Sequence, residues 1–512
     1  MNDKPKSKLH WRLLRWGLIG LAVLVTLAAV LVTEENWRNK RAWDNYKRAA
    51  EARGERFDLA SVVPAPVPDD QNFFCAPIVA EALEQIRRDG SDHSGQSTYR
   101  MNFNIYRGDS ELWPTNGGNW QQEKLTDLKQ WQIYFQKFAA TPEGKTNGFP
   151  VAAQPQKPAT DILLALSGFD PAVKELREAL QRPYARLPLK YEDGFDAVGE
   201  LMPFLANVKR CGQFFQLRIL AELDAGQGGQ AVDDVKLLLA VNDSIRDQPF
   251  LISHLVCMAM MAITLQPVYE GLAQQRWSDA QLMELDKTLA KQDFLADFQL
   301  AMRGEKIMAI DAIEKQRVTR EMKSVDDSSG TNKIITTSLR WAPSAFFYGN
   351  ELAFAQMHEQ FIEPLIDPTN RIVAPAALRQ ALAAVQSQMK HYSYYKVQAQ
   401  MVFPAIASSV NKFAKIQSQV DLARVACALE RFRLAHGNYP ETLAALAPQF
   451  IAQLPHDVIN GQPLHYRRTD DGKFILYSIG WDEKDDGGKI FLTKNGAVDP
   501  KKGDWVWQYP QK

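Results

Sequence analysis

One uncharged, apolar run near the start of the chain limits what the chain can fold into. The sixteen residues GLIGLAVLVTLAAVLV lie between Trp16 and Thr33. As a helix, residues 16–33 are roughly 27 Å long, close to the thickness of the hydrocarbon core of a bilayer. Trp11 and Trp37 lie just outside the run, and indole rings favour the headgroup layer. The sequence therefore predicts a membrane-spanning helix over residues 16–33.

The two ends of the run favour an uncleaved anchor whose N-terminus is cytoplasmic. The run ends in Val-Leu-Val-Thr-Glu-Glu, which lacks the small residues of a signal-peptide cleavage site. Equal numbers of Lys and Arg lie on either side, so the positive-inside count alone is neutral. Arg12 and Arg15 directly precede the run, however, and Glu34 and Glu35 directly follow it. We therefore expect residues 1–15 in the cytoplasm and the remaining body outside it.

A second apolar stretch, FLISHLVCMAMMAITL, covers residues 250–265. It is short for a membrane span, it contains a histidine, and amphipathic helical patterns surround it. We predict a buried core helix at this position, and hence a single-pass membrane protein.

The composition fits a folded body and excludes one class of partner. Hydrophobic residues make up 46% of the chain and charged residues 23%, which is enough apolar material for a sizeable core. Sixty Lys and Arg residues balance sixty Asp and Glu residues. Because nucleic-acid binding needs a basic surplus or a basic stripe, we expect no nucleic-acid partner.

Changes of pattern divide the chain into consecutive segments. Residues 34–70 begin with a charged, helix-prone stretch and end in VVPAPVPDD, which predicts a stalk followed by a proline-rich linker. Residues 71–400 show one amphipathic helix after another and are predicted to form a helical body. Within it, Ser278 and Gln281 have the spacing of a capping box. A polar hinge is predicted at residues 323–334.

Residues 401–512 are predicted to form a small α+β module. Residues 411–436 carry two apolar stripes on opposite sides, which is typical of a helix packed on both faces. The pattern then alternates on either side of an Asp-Asp-Gly turn at residues 470–472, which predicts a β-hairpin. Residues 490–492 and 505–509 are candidates for further strands. The expected fold class is mainly α, with an N-terminal transmembrane helix, a multi-helix body and this small C-terminal module.

Three motifs follow one another in the module. LARVACALERFRLAHGNYPETLAAL ends in G-x-Y-P, LPHDVINGQPLHYRR contains D-x-x-x-G-x-P-x-x-Y, and FILYSIGWDEKDDGG contains Y-S-x-G-x-D. In this order the motifs resemble the globular half of the major pseudopilin of type II secretion. The residues at the matching positions are Gly437, Tyr439, Pro440, Asp457, Gly461, Pro463, Tyr466, Tyr477, Ser478, Gly480 and Asp482.

The chain as a whole resembles a group of large bacterial membrane-anchored proteins that carry this module, through segments such as PVPDDQNF at residues 66–73. The resemblance implies a bacterial inner membrane, a periplasmic body, and secretion or envelope proteins as partners. A pseudopilin, however, begins with a prepilin-peptidase site, Gly followed by Phe-Thr, with a Glu inside the apolar helix. No such site precedes residues 18–32, so we expect no processing into a filament subunit.

The pseudopilin family binds calcium in its last loop, and the resemblance places that loop at residues 482–488, DEKDDGG. Asp482, Asp485 and Asp486 are the candidate metal ligands, because Ca²⁺ takes oxygen ligands and the two glycines allow a tight turn. The spacing is not that of an EF-hand, and a solvated polar turn is the alternative.

No motif in the sequence marks a catalytic centre. G-x-S-x-G, the P-loop and G-x-G-x-x-G are all absent from the sequence. His358-Glu359 lacks the second histidine of a zincin, and His436, His456 and His465 share no ligand spacing. We therefore expect a membrane-tethered, non-enzymatic protein that contacts other proteins as a secretion or envelope accessory. Two alternatives stay open: a periplasmic hydrolase or ligand-binding enzyme with acids distant in sequence, and a calcium-stabilised structural module.

Overall fold

Helices dominate the fold, as the sequence predicts. The structure, a computed structural model, describes residues 7–89, 99–320, 339–389 and 394–510, and the predicted hinge at residues 323–334 lies outside them. Numbered in chain order among these residues, the α-helices are α1 (Ser7–Ala52), α2 (Pro77–Asp89), α3 (Leu128–Ala140), α4 (Pro142–Asn147), α5 (Pro158–Leu166), α6 (Asp170–Ala179), α7 (Phe195–Asp224), α8 (Gly228–Asp243), α9 (Leu251–Ala273), α10 (Asp279–Leu289), α11 (Phe294–Thr319), α12 (Ser344–Phe361), α13 (Pro375–Met389) and α14 (Val397–His436). The strands are β1 (Ile366–Asp367), β2 (Ile372–Val373), β3 (His465–Arg468), β4 (Phe474–Ser478), β5 (Ile490–Leu492), β6 (Val498–Gly503) and β7 (Trp505–Gln508).

The apolar run and the charged stretch after it form one continuous helix, α1. The apolar side chains from Leu18 to Val32 are exposed, and the helix is long and apolar enough to cross a membrane. A bilayer removes such side chains from water, which is favourable by about 25 cal/mol for each Å² of apolar surface. The N-terminal helix is therefore consistent with the expected single-pass anchor.

The second apolar stretch lies in α9, which is also long and apolar enough to cross a membrane. Most of its side chains are buried, however, and the helix packs against α7 and α8. This agrees with the prediction of a core helix.

Contacts within the chain define two compact units that interleave along the sequence. Unit 1 comprises Met1–Ser61, Lys306–Gln360 and Ala383–Pro404. Unit 2 comprises Val62–Glu305, Phe361–Leu382 and Ala405–Lys512. The segments predicted from the sequence are consecutive, and their boundaries stay a prediction.

In unit 1, the part of α1 beyond the apolar run packs along α12, and the two helices run in the same direction. Asn36 Oδ1 accepts a hydrogen bond from the N–H of Ala345 (2.7 Å), at the start of α12. Tyr46 OH donates to Glu359 Oε2 (2.7 Å), near the end of α12. Trp43, in the stretch predicted to be a stalk, is buried in this packing.

Helix α11 runs through unit 1 in the opposite direction. Lys306 forms an ion pair with Glu55, which follows the end of α1. At the other end, Arg320 Nη1 donates to Ala342 O (2.5 Å), just before α12 begins. The start of α12 and the end of α11 therefore lie at the same end of unit 1 as Asn36.

Unit 2 contains the helical core and the C-terminal sheets. Strands β3, β4 and β7 form one antiparallel sheet in that order, while β5 pairs with β6 and β1 with β2. The predicted hairpin is the pair β3–β4, in which Tyr466 lies opposite Leu476. The predicted capping box of Ser278 and Gln281 is formed at the start of α10.

Aromatic side chains join the three-stranded sheet to the helices of unit 2. The ring of Trp507, on β7, lies 4.9 Å from that of Trp120 and 5.4 Å from that of Tyr269 on α9. Tyr269 OH donates to Gln508 O (2.8 Å). Because Trp507 is fully buried, these contacts make the sheet part of the unit 2 core.

Candidate functional site: an open groove in unit 2

A solvent-open groove of about 640 Å³ lies in unit 2. Three segments far apart in the sequence line it, at residues 62–67, 180–186 and 240–247. Ligand-binding cavities typically enclose about 300–1,000 Å³, so the groove is large enough to hold a ligand or a short stretch of polypeptide.

The proline-rich segment forms one wall of the groove. Proline fixes its own φ and disfavours helix at the residue before it, so the alternating prolines at positions 64, 66 and 68 keep the segment extended. Two arginines hold it through its carbonyl groups. Arg186 Nε donates to Pro64 O (2.8 Å), and Arg182 Nη1 donates to Asp69 O and Asn72 O (both 2.9 Å).

Arg182 and Arg186 give this wall an uncompensated positive charge. Both side chains are half-buried, and neither forms an ion pair with any residue that the structure describes. The guanidinium of Arg186 also stacks over the ring of Tyr191, with 5.2 Å between its Cζ and the ring centroid. An arginine that binds only carbonyl groups keeps its full charge available for a carboxylate or phosphate ligand.

Residues 240–247, which also line the groove, contribute one arginine and two exposed acids. Arg246 forms ion pairs with Asp243 (2.9 Å) and Asp297 (3.0 Å). Burial raises the pKa of Asp297 to about 7 and also raises that of Asp243, while the arginine opposes both shifts. Asp247 is exposed at the rim. The lining of the groove therefore carries charges of both signs.

The lining of the groove contains neither His nor Cys, and a buried histidine behind it is held neutral. His254 Nε2 lies 3.0 Å from Gln248 O, and burial lowers the pKa of His254 to about 4. Gln248 in turn accepts a hydrogen bond from Tyr191 OH (2.6 Å). These side chains support the floor of the groove and do not reach its surface, since both His254 and Gln248 are fully buried.

A pair of carboxylic acids does converge in unit 2, but away from solvent. Glu222 on α7 and Asp234 on α8 are both 1% exposed, and Arg218 contacts each of them. Burial, followed by the charge of Asp234, raises the pKa of Glu222. Their contacts with Arg218 link α7 to α8.

The predicted calcium loop is held by backbone hydrogen bonds. Asp485 Oδ1 accepts from the N–H of Gly487 (2.9 Å) and from Tyr477 OH (3.0 Å), and the Gly487 N–H lowers the pKa of Asp485. Asp482 Oδ2 accepts from the N–H of Gly503 (3.2 Å). The N–H of Asp486 donates to Asp504 Oδ1 (3.3 Å).

Asp504, which is not among the predicted ligands, accepts hydrogen bonds from several backbone N–H groups in and next to that loop. It is 2% exposed, and its carboxylate also accepts from the N–H groups of Gly488 (2.7 Å) and Lys489 (3.3 Å). Among the described residues, no group of three or more His, Cys, Asp or Glu side chains is placed to hold a metal ion. Calcium binding at Asp482, Asp485 and Asp486 stays a prediction.

Residues of the three sequence motifs form hydrogen bonds that connect the parts of the C-terminal module. The buried carboxylate of Asp457 accepts from Ser478 OH (2.8 Å) and from the N–H of Ile479 (2.9 Å), at the end of β4. Tyr466 OH on β3 donates to Pro440 O (2.7 Å), which follows α14. These hydrogen bonds connect the loop, the sheet and the helix end, so the motif has a structural role here.

The histidines considered in the sequence do not come together. In the module, His436 Nδ1 lies 3.0 Å from Phe432 O, His456 Nε2 lies 3.3 Å from Arg371 O, and His465 stacks on Tyr477. In unit 1, His358 is fully buried beside Phe354, and burial lowers its pKa to about 3.

Comparison of the chain with protein-family models, with curated proteins and with solved structures gave no match. The groove is therefore described from its own residues. In the sequence, the proline-rich segment is the part of the groove that a local pattern marks, and that pattern predicts a linker. The arginines that contact the carbonyl groups of that segment lie more than a hundred positions away and follow no local pattern.

Proposed function

We propose that this protein is a single-pass, membrane-anchored binding protein without catalytic activity, which contacts a secretion or envelope protein through the groove of unit 2. The observation that carries the proposal is the pair of arginines, Arg182 and Arg186, that line an open groove with no ion-pair partner among the described residues. Charge of this kind is available to a partner.

The occupant that fits the groove is an extended polypeptide segment with an acidic side chain or a free carboxylate. The groove is open to solvent, an extended proline-rich segment lines it, and its lining carries charges of both signs. A carboxylate would bind the arginine wall, while basic or amide groups of the same segment would face Asp247.

The proposed location follows from α1 and from the resemblance of the module. The N-terminus lies in the cytoplasm, α1 crosses a bacterial inner membrane, and the body lies in the periplasm. A module that resembles a pseudopilin would be recognised by proteins that already contact pseudopilins, which makes secretion components the first partners to examine.

The proposal is tested by photo-crosslinking in bacterial cells that express the full-length protein. A photo-reactive amino acid replaces Tyr184, which lines the groove and is 48% exposed. The matched control replaces Met283, which is 52% exposed on α10 and does not line the groove. We expect a defined envelope or secretion protein, identified by mass spectrometry, at position 184 and not at position 283.

The charge dependence of that crosslink separates a specific partner from chance neighbours. Replacing both arginines, Arg182→Gln with Arg186→Gln, is expected to abolish the crosslink, and Arg182→Lys with Arg186→Lys to retain part of it, because a lysine keeps the charge but loses the fork of donors. Equal capture at both positions, or capture that survives the Gln variants, would contradict the proposal. So would turnover of a substrate by the purified protein that a groove substitution abolishes.

A further inference from the structure

The membrane-proximal end of unit 1 exposes large apolar side chains. Trp341 is 85% exposed, Val318 is 67% exposed and Trp37 is 60% exposed. Trp341 is the most exposed of all the large hydrophobic side chains that the structure describes, including those in the apolar run of α1. An indole that is 85% exposed to water is energetically unfavourable.

The exposure of Trp341 does not arise from a loose segment. Its neighbours Leu339 and Ala342 are buried in a cluster with Phe346, Phe347 and Ile313. Arg320 donates to Ala342 O and to Ser344 Oγ, which ties the turn to the end of α11. The turn is therefore fixed, and it holds the indole outward.

Hydrogen bonds place this turn beside the end of the membrane-spanning run. Asn36 Oδ1 accepts from the N–H of Ala345, and Glu35 Oε2 accepts from Tyr395 OH (2.9 Å). At 1.5 Å per residue, Asn36 lies roughly 5 Å beyond Thr33 along the axis of α1. Trp341 and Ala345 are four positions apart in the chain, so their Cα atoms are at most about 14 Å apart.

The direction of the helices sets the side on which Trp341 lies. Helix α12 runs away from the membrane alongside α1, from Asn36 at its start to Tyr46 near its end. The residues that precede α12 therefore lie at the membrane end of unit 1. Helix α11 ends there too, which accounts for the exposed Val318 at the same end.

Basic side chains accompany the apolar ones at this end. Arg340 is exposed next to Trp341, and the guanidinium of Arg41 lies 5.2 Å from the ring of Trp37. Tryptophan favours the headgroup layer of a bilayer, and an arginine near the surface is attracted to anionic headgroups. Together these residues have the chemistry of a lipid interface.

We propose that the end of unit 1 formed by Trp37, Val318, Arg340 and Trp341 lies in the headgroup layer of the membrane that α1 crosses. Trp341 then anchors unit 1 at a second point and prevents it from swinging about the end of α1. This inference rests on the proposed insertion of α1, and the experiment below includes a position that reports on that insertion alone.

The test uses the full-length protein in nanodiscs that contain anionic lipid. Cys75 is replaced by Ser, because it is the one cysteine in the chain that is not buried, and a single new cysteine is labelled with an environment-sensitive fluorophore. The labelled positions are Trp341→Cys, Val25→Cys within the apolar run, and Glu51→Cys at the far end of unit 1. Lipids that carry a quencher at the headgroup or at the chain end report the depth of each label.

We expect the label at position 341 to be quenched more strongly by the headgroup quencher than by the chain-end quencher. The label at position 25 should show the opposite order, and the label at position 51 should respond to neither. If position 25 is quenched and position 341 behaves like position 51, the inference is overturned while the membrane anchor stands. If position 25 is not quenched, α1 does not insert, and both proposals fall.

Hydrogen–deuterium exchange on the unlabelled protein provides a second measurement, free of any effect of the fluorophore. Amides at residues 339–345 should exchange more slowly in nanodiscs than in detergent, and Trp341→Glu should remove that difference because a carboxylate is excluded from the interface. Equal exchange of the wild-type protein in nanodiscs and detergent would overturn the inference.

Discussion

The contacts inside unit 1 differ in kind from the contacts inside unit 2. In unit 1, hydrogen bonds and ion pairs join α1 to the other helices: Asn36 to Ala345, Glu55 to Lys306, and Arg53 to Glu359 at 2.8 Å. In unit 2, tilted and edge-to-face aromatic contacts of Trp507 with Trp120 and Tyr269 join the sheet to the helical core.

The difference has consequences for how each unit responds to perturbation. A buried aromatic side chain contributes several kcal/mol, whereas an exposed ion pair contributes about 0–1 kcal/mol. Unit 2 should therefore respond most to loss of volume in its core. Unit 1 should respond to changes in its polar contacts and in the charge of its buried ionisable groups. Because a chain of two units need not unfold in a single step, each prediction is measured on peptides from the unit concerned, by hydrogen exchange.

The largest effect is expected for Trp507→Ala in unit 2. Removal of this fully buried ring leaves a cavity between β7 and α9, and we expect a loss of about 3–5 kcal/mol in the free energy of opening for peptides from β4 and β7. Phe491→Ala on β5, which removes a ring that is 43% exposed, is the matched control and should change that free energy by about 0.5 kcal/mol or less. Similar effects for the two variants would contradict a stabilising role of the aromatic contacts of Trp507.

In unit 1, α12 carries two buried groups whose pKa values shift in opposite directions. Burial, with the charge of Glu314, raises the pKa of Glu351 above 4.5, so its stabilisation is full below 4.5 and is lost as pH rises. Burial, with the charge of Lys306, lowers the pKa of His358 from 6.5 to about 3, so its stabilisation is full above 6.5 and is lost as pH falls. Between pH 4.5 and 6.5 the two dependences oppose each other, and we expect the stability of α12 to be nearly constant.

Glu351→Gln tests this cancellation by removing one of the two groups. We expect the stability of α12 in the variant to rise with pH between 4.5 and 6.5, by about 1.4 kcal/mol for each pH unit. His358→Phe is the counterpart and should give the opposite slope. A flat exchange profile for α12 peptides in both variants would show that neither group is coupled to folding.

Unit 2 offers a contrasting case in Glu305. Its pKa is raised, and no ion pair among the described residues opposes the shift. Burial raises the pKa of Glu305 from 4.5 to about 7, and Glu305 Oε1 accepts from the N–H of Leu251 (3.1 Å) at the start of α9. The contribution of Glu305 to stability is full below pH 4.5 and is lost as the pH rises to about 7. After allowance for the partial exposure of the side chain, we expect this loss to be about 2 kcal/mol. Glu305→Gln keeps the acceptor and should remove this loss from the exchange of the first turn of α9. Glu284→Gln, at the surface of α10, should leave it unchanged.

A smaller effect in unit 2 tests the packing of the module at one glycine. Gly480 has a φ of +69°, and a Cβ at this position would lie 2.3 Å from the carbonyl oxygen of Gly503. Gly480→Ala is expected to destabilise β4 by about 1–2 kcal/mol from the backbone conformation alone, with a further cost from this steric overlap. Gly472→Ala has a similar φ of +76° with open space around it, so the difference between the two variants measures the overlap. Equal destabilisation by the two substitutions would mean that β6 shifts to accommodate the added Cβ without a cost in stability.

Features set by neighbouring residues could be predicted from the sequence, and features set by distant ones could not. The capping box of Ser278 and the hairpin β3–β4 depend on spacing within a few residues, and both were predicted. The packing of α1 on α12 joins residues more than three hundred positions apart and leaves no pattern in either segment. The groove has the same origin, because its proline-rich wall indicates only an extended chain until Arg182 and Arg186 are placed against it.

The smallest expected effect concerns Asn36, which lies just beyond the apolar run of α1 in unit 1. Its side chain satisfies the N–H of Ala345 in the first turn of α12, where backbone donors have no partner within the helix. Asn36→Ala should destabilise the start of α12 by about 1 kcal/mol, and Asn36→Asp should retain the contact because a carboxylate also accepts. Exchange at residues 344–348 is the measurement. A loss of protection confined to α12, with β4 and β7 unchanged, would support the contrast between the polar contacts of unit 1 and the aromatic core of unit 2. An equal loss in both units would contradict it.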